Sequence, residues 1–67
     1  MPTITVNGTG QEVAEGTSLL LYLQSKKTDP THVVAEINGV IVKKERFPEL
    51  TLKTGDTVEV IRFVGGG

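Results

Sequence analysis

Two Asn-Gly pairs, Asn7-Gly8 and Asn38-Gly39, each follow a short stretch of alternating, β-branched-rich sequence. An Asn-Gly pair is a strong short-range signal for a tight hairpin, because both turn positions need positive φ and these two residues tolerate it. The first pair leads from Thr3-Ile4-Thr5-Val6 to Gln11-Glu12-Val13-Ala14, whose low apolar content suits a strand at or near an edge. The second leads from His32–Ile37, with Val33, Ala35 and Ile37 on one face, to Val40-Ile41-Val42. A chain of 67 residues with two hairpins fixed at these places has few architectures open to it. It also has no cysteine, so neither disulfides nor a thiolate metal site can staple it, and regular secondary structure must hold it together.

Between the hairpins the period changes. Glu15-Gly16 breaks the strand pattern, and Thr17 or Ser18 is placed to cap a helix. The spacing predicts a helix from Ser18 to about Lys27, with Leu19, Tyr22, Leu23 and the stem of Lys26 on one face and Leu20 on its flank. Leu21 lies nearly opposite, outside the amphipathic pattern. Pro30 disfavours helical geometry in the residue before it, so Thr28-Asp29-Pro30 is expected to end the helix. After the second hairpin, Lys43–Arg46 is charged, and Phe47-Pro48-Glu49-Leu50 reads as a connection because of its proline. Thr51-Leu52 is a candidate short strand and Lys53–Asp56 a turn. Thr57–Phe63 is the clearest strand, with Val58 and Val60 on one face and Ile61 and Phe63 on the other.

This order predicts one helix packed on one face of a mixed sheet of four or five strands, an α+β fold. The first and last strands can run parallel in the middle of that sheet, since a helical crossover separates them. The expected core is Ile4, Val6, Leu19, Leu23, Ala35, Ile37, Val58 and Val60. Ile61, Phe63 and Val34 then project from the other side of the sheet. Either a loop covers them or they form an apolar docking patch; the nearness of Phe63 to the chain end favours docking, and Leu21 is a second candidate for it.

Several function classes fall away. Net charge is -1 and aromatic residues are 4%, so neither the basic footprint nor the stacking platform of a nucleic-acid binder is present. The longest apolar run, Leu19-Leu20-Leu21-Tyr22-Leu23, is far short of the roughly 20 residues a membrane span needs. Met1-Pro2-Thr3-Ile4 lacks a basic region leading into an apolar stretch, so a cytoplasmic protein is expected. His32 is the lone histidine and is read as a surface residue rather than a metal ligand or acid–base group. Asp29, Glu45 and Glu49 are read as solvated loop charges, and Lys43, Lys44 and Arg46 as a solvated loop rather than an anion site. No catalytic constellation or metal site emerges, so the chain is not expected to be an enzyme.

The last three residues, Gly65, Gly66 and Gly67, add nothing to a core and lose the most backbone entropy on ordering. They divide the chain into a folded domain over residues 1–64 and a flexible tail over residues 65–67. A slim tail ending in a carboxylate suits entry into another protein's narrow site. From the tail alone, a frayed or appended end is an equally good reading.

Four stretches, taken in order with the glycine tail, resemble the sulfur-carrier family of thiamin biosynthesis. They are Ile4–Gly8, Glu15–Leu19, Ala35–Val42 and Gly55–Val60. The family usually ends in two glycines after an apolar residue; a third here extends the spacer. The resemblance implies a ubiquitin-like β-grasp fold, with Gly67 as the sulfur-carrying residue. It implies that a partner similar to ubiquitin-activating enzymes (an adenylating enzyme) uses ATP and magnesium to activate the terminal carboxylate. A sulfur donor protein then converts it to a thiocarboxylate, which supplies sulfur to a thiazole synthase. Two other readings stand beside it: a carrier of the molybdopterin-synthase small-subunit type, and a ubiquitin-like modifier or binding module.

Overall fold

In the computed structural model, residues 1–63 are described. The elements run β1 (Thr3–Val6), β2 (Thr9–Glu12), α1 (Leu19–Ser25), a 3₁₀ turn (Pro30–His32), β3 (Val33–Ile37), β4 (Val40–Val42), a second 3₁₀ turn (Lys44–Arg46) and β5 (Thr57–Arg62). The five strands form one sheet in the order β2-β1-β5-β3-β4. Both hairpins form where the Asn-Gly pairs put them, with φ of 49° at Asn7 and 53° at Asn38. Strands β1 and β5 are parallel, as the helical crossover allows, and β3 runs antiparallel to β5 on its other side. The sheet is therefore mixed, and β2 is an edge strand as its weak apolar content suggests.

Helix α1 covers one face of this sheet. Leu19, Tyr22 and Leu23 are buried, Leu20 is half-buried and Leu21 is exposed, which is the predicted phase; Lys26, expected to lay its stem on the apolar face, is exposed. The first N–H groups of any helix lack partners within it. Here Leu19 donates to the Leu50 carbonyl at 2.8 Å, Leu20 to the Phe47 carbonyl at 3.1 Å and Leu21 to the Ser18 hydroxyl at 3.1 Å. Those bonds dock the 47–52 connection against the start of the helix. Phe47, read from sequence only as part of a connection, is consequently only 1% exposed and among the largest fully buried side chains.

Several assignments differ from the expectation: β3 starts at Val33 rather than His32, β5 stops at Arg62 rather than Phe63, and α1 starts at Leu19 with Ser18 as its cap. The helix ends at Ser25, not Lys27, and Pro30 is not what ends it. Lys27 turns left-handed at φ 57°, and the N–H groups of Lys27 and Thr28 return to the Gln24 and Leu23 carbonyls. This is a Schellman closure with lysine where glycine is usual. Pro30 instead opens the following 3₁₀ turn, where its missing N–H does no harm. Thr51-Leu52 makes only a single bridge, Ser18 to Thr51, rather than a strand. Strand β2 begins at Thr9 and stops at Glu12, ahead of the predicted Gln11–Ala14 span. Of the expected core, all but Val60 are buried; Val60 is half-buried, while Val13, Tyr22, Val33, Phe47 and Leu52 join the core.

Candidate functional site

Strand β5 leads into the glycine tail, so its surroundings define the site. Residues 64–67, including the candidate carrier residue Gly67 and the tail residues Gly65 and Gly66, lie outside the described residues. What can be described is the root from which they leave. Side chains alternate along a strand, so Val58, Val60 and Arg62 face the helix while Glu59, Ile61 and Phe63 face away from it. On the outer face Val34 stands directly opposite Ile61. These two and Phe63 are exposed, at 38%, 56% and 47% respectively. Among the described residues no loop folds over them, so of the two readings of these side chains the open patch is the one observed. Ile41 of β4 is on the same face and 65% exposed; sequence reasoning passed over it, although its alternation with Val40 and Val42 was available. Leu21 is 56% exposed on α1, which covers the opposite face of the sheet, so it does not join this patch.

The root is held from the β3 side. Phe63 N–H donates to the His32 carbonyl at 3.0 Å, one bond beyond the end of β5. The His32 ring meets the Phe63 ring edge-on, with centroids 6.3 Å apart and planes at 89°. His32 Nδ1 in turn lies 3.1 Å from Asp29 Oδ2, with both side chains largely exposed. The Thr31 hydroxyl and N–H both donate to Asp29 Oδ1, and they hold its carboxyl below the usual carboxylate range. His32 is thus a surface residue that braces Phe63. Glu49 pairs with Arg46 at 3.4 Å. Among the described residues no group of His, Asp and Glu side chains is arranged to hold a metal ion, and no helix is long and apolar enough to cross a membrane. Tyr22 is buried beneath this architecture, its hydroxyl donating to Gln11 Oε1 at 2.6 Å, and burial pushes its phenol above the ordinary value.

A hairpin, a covering helix and a parallel β1–β5 pair that leads into a glycine tail make a specific combination, and known proteins share it. The model of the ThiS family matches residues 4–67. The chain belongs to the ThiS family. It is 40% identical over 45 residues to the sulfur carrier protein ThiS of Bacillus subtilis, covering 67% of this chain and 68% of that protein. Its structure superposes on the crystal structure of a thiamine biosynthesis protein, ThiS, from Geobacter metallireducens with a TM-score of 0.81 at 37% identity, over 97% of this chain and 99% of the other. It is also 31% identical over 64 residues to a thiazole synthase of Magnetococcus marinus; the match takes in 96% of this chain but spans only 20% of that protein. The function that goes with this membership is that of a sulfur carrier in thiamin biosynthesis, and the fold is the β-grasp of that family. Membership also implies dealings with other proteins of the thiamin pathway.

Proposed function

We propose that this ThiS-family chain carries sulfur on the C-terminal carboxylate of Gly67 and acts as a protein co-substrate rather than an enzyme. The observation that supports this most is that the family match runs through residue 67 and so takes in all three glycines. Glycines bring no side-chain bulk and permit close backbone approach, which suits a tail that enters a partner's narrow site. A carboxylate is a poor electrophile. In this reading an adenylating enzyme binds ATP and magnesium, and the Gly67 carboxylate attacks the α-phosphorus of ATP. Pyrophosphate leaves and a mixed anhydride with AMP forms. Sulfide-level sulfur (HS⁻) released by a sulfur donor protein then attacks the acyl carbon; the C–S bond forms, the bond to the AMP oxygen breaks, AMP leaves and the thiocarboxylate remains. Covalent activation of this kind divides one difficult step into two easier ones.

The apolar outer face is the proposed docking surface. Val34, Ile61 and Phe63 would meet the adenylating enzyme, with Phe63 as an anchor nearest the tail. Leu21, on the opposite side of the molecule, would serve a separate contact. Delivery to a thiazole synthase is supported by the Magnetococcus protein of that name, which includes a segment like this chain. A cytoplasmic location, with access to ATP, is part of the same proposal.

The test is a mass measurement. The parent chain, and a chain extended beyond Gly67, are incubated with the adenylating enzyme, ATP, magnesium and a sulfur source, then weighed intact. The parent gains about 16 Da, the difference between sulfur and oxygen expected when a carboxylate becomes a thiocarboxylate by this route. The extended chain, whose Gly67 carbonyl is locked in a peptide bond, gains nothing. Sulfur loading of the extended chain without prior cleavage would remove Gly67 from the role.

A further inference from the structure

Strand β5 is central in the sheet, yet its last residues have a neighbour on one side only. Its odd-numbered residues face β3: Asn38 N–H donates to the Thr57 carbonyl at 2.8 Å and Phe63 N–H to the His32 carbonyl at 3.0 Å. The main-chain groups of Val58, Val60 and Arg62 therefore face β1. That strand ends early, its pairing with β5 stopping at Val6 opposite Val58. Asn7 N–H still donates to the Val58 carbonyl at 2.9 Å. The Asn7 side-chain amide then stands in for one further strand residue: Val60 N–H donates to Asn7 Oδ1 at 2.8 Å, and Asn7 Nδ2 donates to the Val60 carbonyl at 3.2 Å. Beyond Asn7 the chain turns back at Gly8. The Arg62 N–H and C=O meet no partner among the described residues. An unpaired strand edge is a template for another chain to add to the sheet.

On the helix side of this edge lies an open groove of about 400 Å³. Val6, Leu23 and Val60 give it apolar walls, and Lys26 and Arg62 give it two cations. The Arg62 guanidinium reaches across to the Thr28 hydroxyl at 3.4 Å, and the Lys26 ammonium lies 5.8 Å from the centre of the Tyr22 ring. Among the described residues no carboxylate lines the groove. Neither Lys26 nor Arg62 forms an ion pair with a described residue.

We infer that the partner which receives the tail adds an extended segment to β5 at Arg62, in line with β1, and places an Asp or Glu side chain from that segment in the Lys26–Arg62 groove. The inference rests on the carrier reading above and adds a contact on the side of β5 away from the Val34–Ile61–Phe63 face. Main-chain bonds to Arg62 fix the direction in which the tail leaves, and the carboxylate fixes the register of the added segment. Alternate side chains of such a segment point to the helix side, where the groove is. A partner strand without an acidic residue at that position would leave two cations facing apolar surface, so the groove selects against it.

Two measurements test this on the full chain with the adenylating enzyme. The first is carrier-dependent exchange of pyrophosphate into ATP, for the parent and for Arg62→Glu, Lys26→Glu and the double variant. Both residues are exposed, so the variants fold, which far-UV circular dichroism checks. The double variant raises the KM for the carrier at least about tenfold with kcat little changed, as expected for charge reversal at an interface. The second is amide hydrogen exchange: the Arg62 N–H becomes protected in the complex, and the degree of protection falls in the double variant. An active parent whose KM is unmoved by charge reversal, or whose Arg62 amide exchanges equally fast free and bound, overturns this inference alone. A parent that supports no exchange of pyrophosphate overturns the carrier reading and this inference with it. Protection of Arg62 in the free chain that rises with its own concentration would put a second copy at the edge instead, and would likewise overturn it.

Discussion

The chain has two phenylalanines, and the structure gives them opposite tasks. Phe47 is 1% exposed, beneath the start of α1; Phe63 is 47% exposed, on the outer face beside the tail. Truncating a buried phenylalanine to alanine costs about 3–5 kcal/mol, from lost transfer energy and the cavity left behind. Phe63 withdraws about half its surface from water, so Phe63→Ala should cost about 1–2 kcal/mol at the usual area coefficient. A domain of this size is stable by only about 3–10 kcal/mol. Phe47→Ala should therefore leave the fold marginal or lost at 25 °C, while Phe63→Ala stays folded and loses affinity for the adenylating enzyme. Urea titration followed by far-UV circular dichroism reads the stabilities, and Tyr22, the single tyrosine, gives an independent fluorescence signal from the core. If Phe47→Ala lies within about 1 kcal/mol of the parent, the connection is not docked as described. If Phe63→Ala is the more damaging to the fold, the two faces of the sheet have been exchanged.

Asn7→Gly keeps a residue that accepts positive φ but deletes two hydrogen bonds to Val60, so urea titration should show a loss of about 1–3 kcal/mol; no loss would mean that the amide does not cap β5. Lys27→Gly relieves a left-handed backbone that costs most side chains about 1–2 kcal/mol, partly offset by a freer unfolded chain, and should raise the midpoint slightly; a fall would argue against the Schellman closure. The Asp29 carboxyl is held low chiefly by the Thr31 hydroxyl and N–H, so its contribution is present above the ordinary carboxylate pKa and is lost as pH falls through the lower folded value. Asp29→Asn should accordingly destabilise at neutral pH and converge with the parent in acid; a difference that grows toward acid would refute the assignment.

Much of the fold was legible because its strongest constraints are local. Positive φ at an Asn-Gly turn is a demand of two adjacent residues, and it pinned both hairpins, while the helical crossover between them allowed the parallel placement of β1 and β5. The helix phase followed from the spacing of Leu19, Tyr22 and Leu23. Phe47 was not legible, since its burial comes from helix N–H groups thirty or so residues away that need the Phe47 and Leu50 carbonyls. The helix end was misread because a lysine occupies the position where glycine would have signalled closure. Val60 was placed on the right face but is half-buried, because β1 stops short of covering it.

At the site, the tail stood out because three glycines fit no core, and the alternation of Ile61 and Phe63 against Val58 and Val60 gave the outer face. Arg62 was missed: alternation tells which face a side chain takes, but not where the neighbouring strand ends. The stretches that carry the family resemblance do structural rather than chemical work. Asn7 bonds the backbone of Val60. Asn38 Oδ1 accepts from Thr57 N–H at 2.9 Å, and its Nδ2 donates to Asp56 Oδ1 at 3.1 Å. Asp56 Oδ2 accepts from Lys53 N–H at 2.9 Å and closes the turn that launches β5. The two hairpin asparagines thus both fasten the one strand that leads to the tail, at Thr57 and at Val60, and His32 fastens it again at Phe63. Misplacing a reacting group by about 1 Å can cost on the order of a hundredfold in rate. In the carrier reading proposed above, the tail therefore leaves from a strand end held at Thr57, Val60 and Phe63 by Asn38, Asn7 and His32.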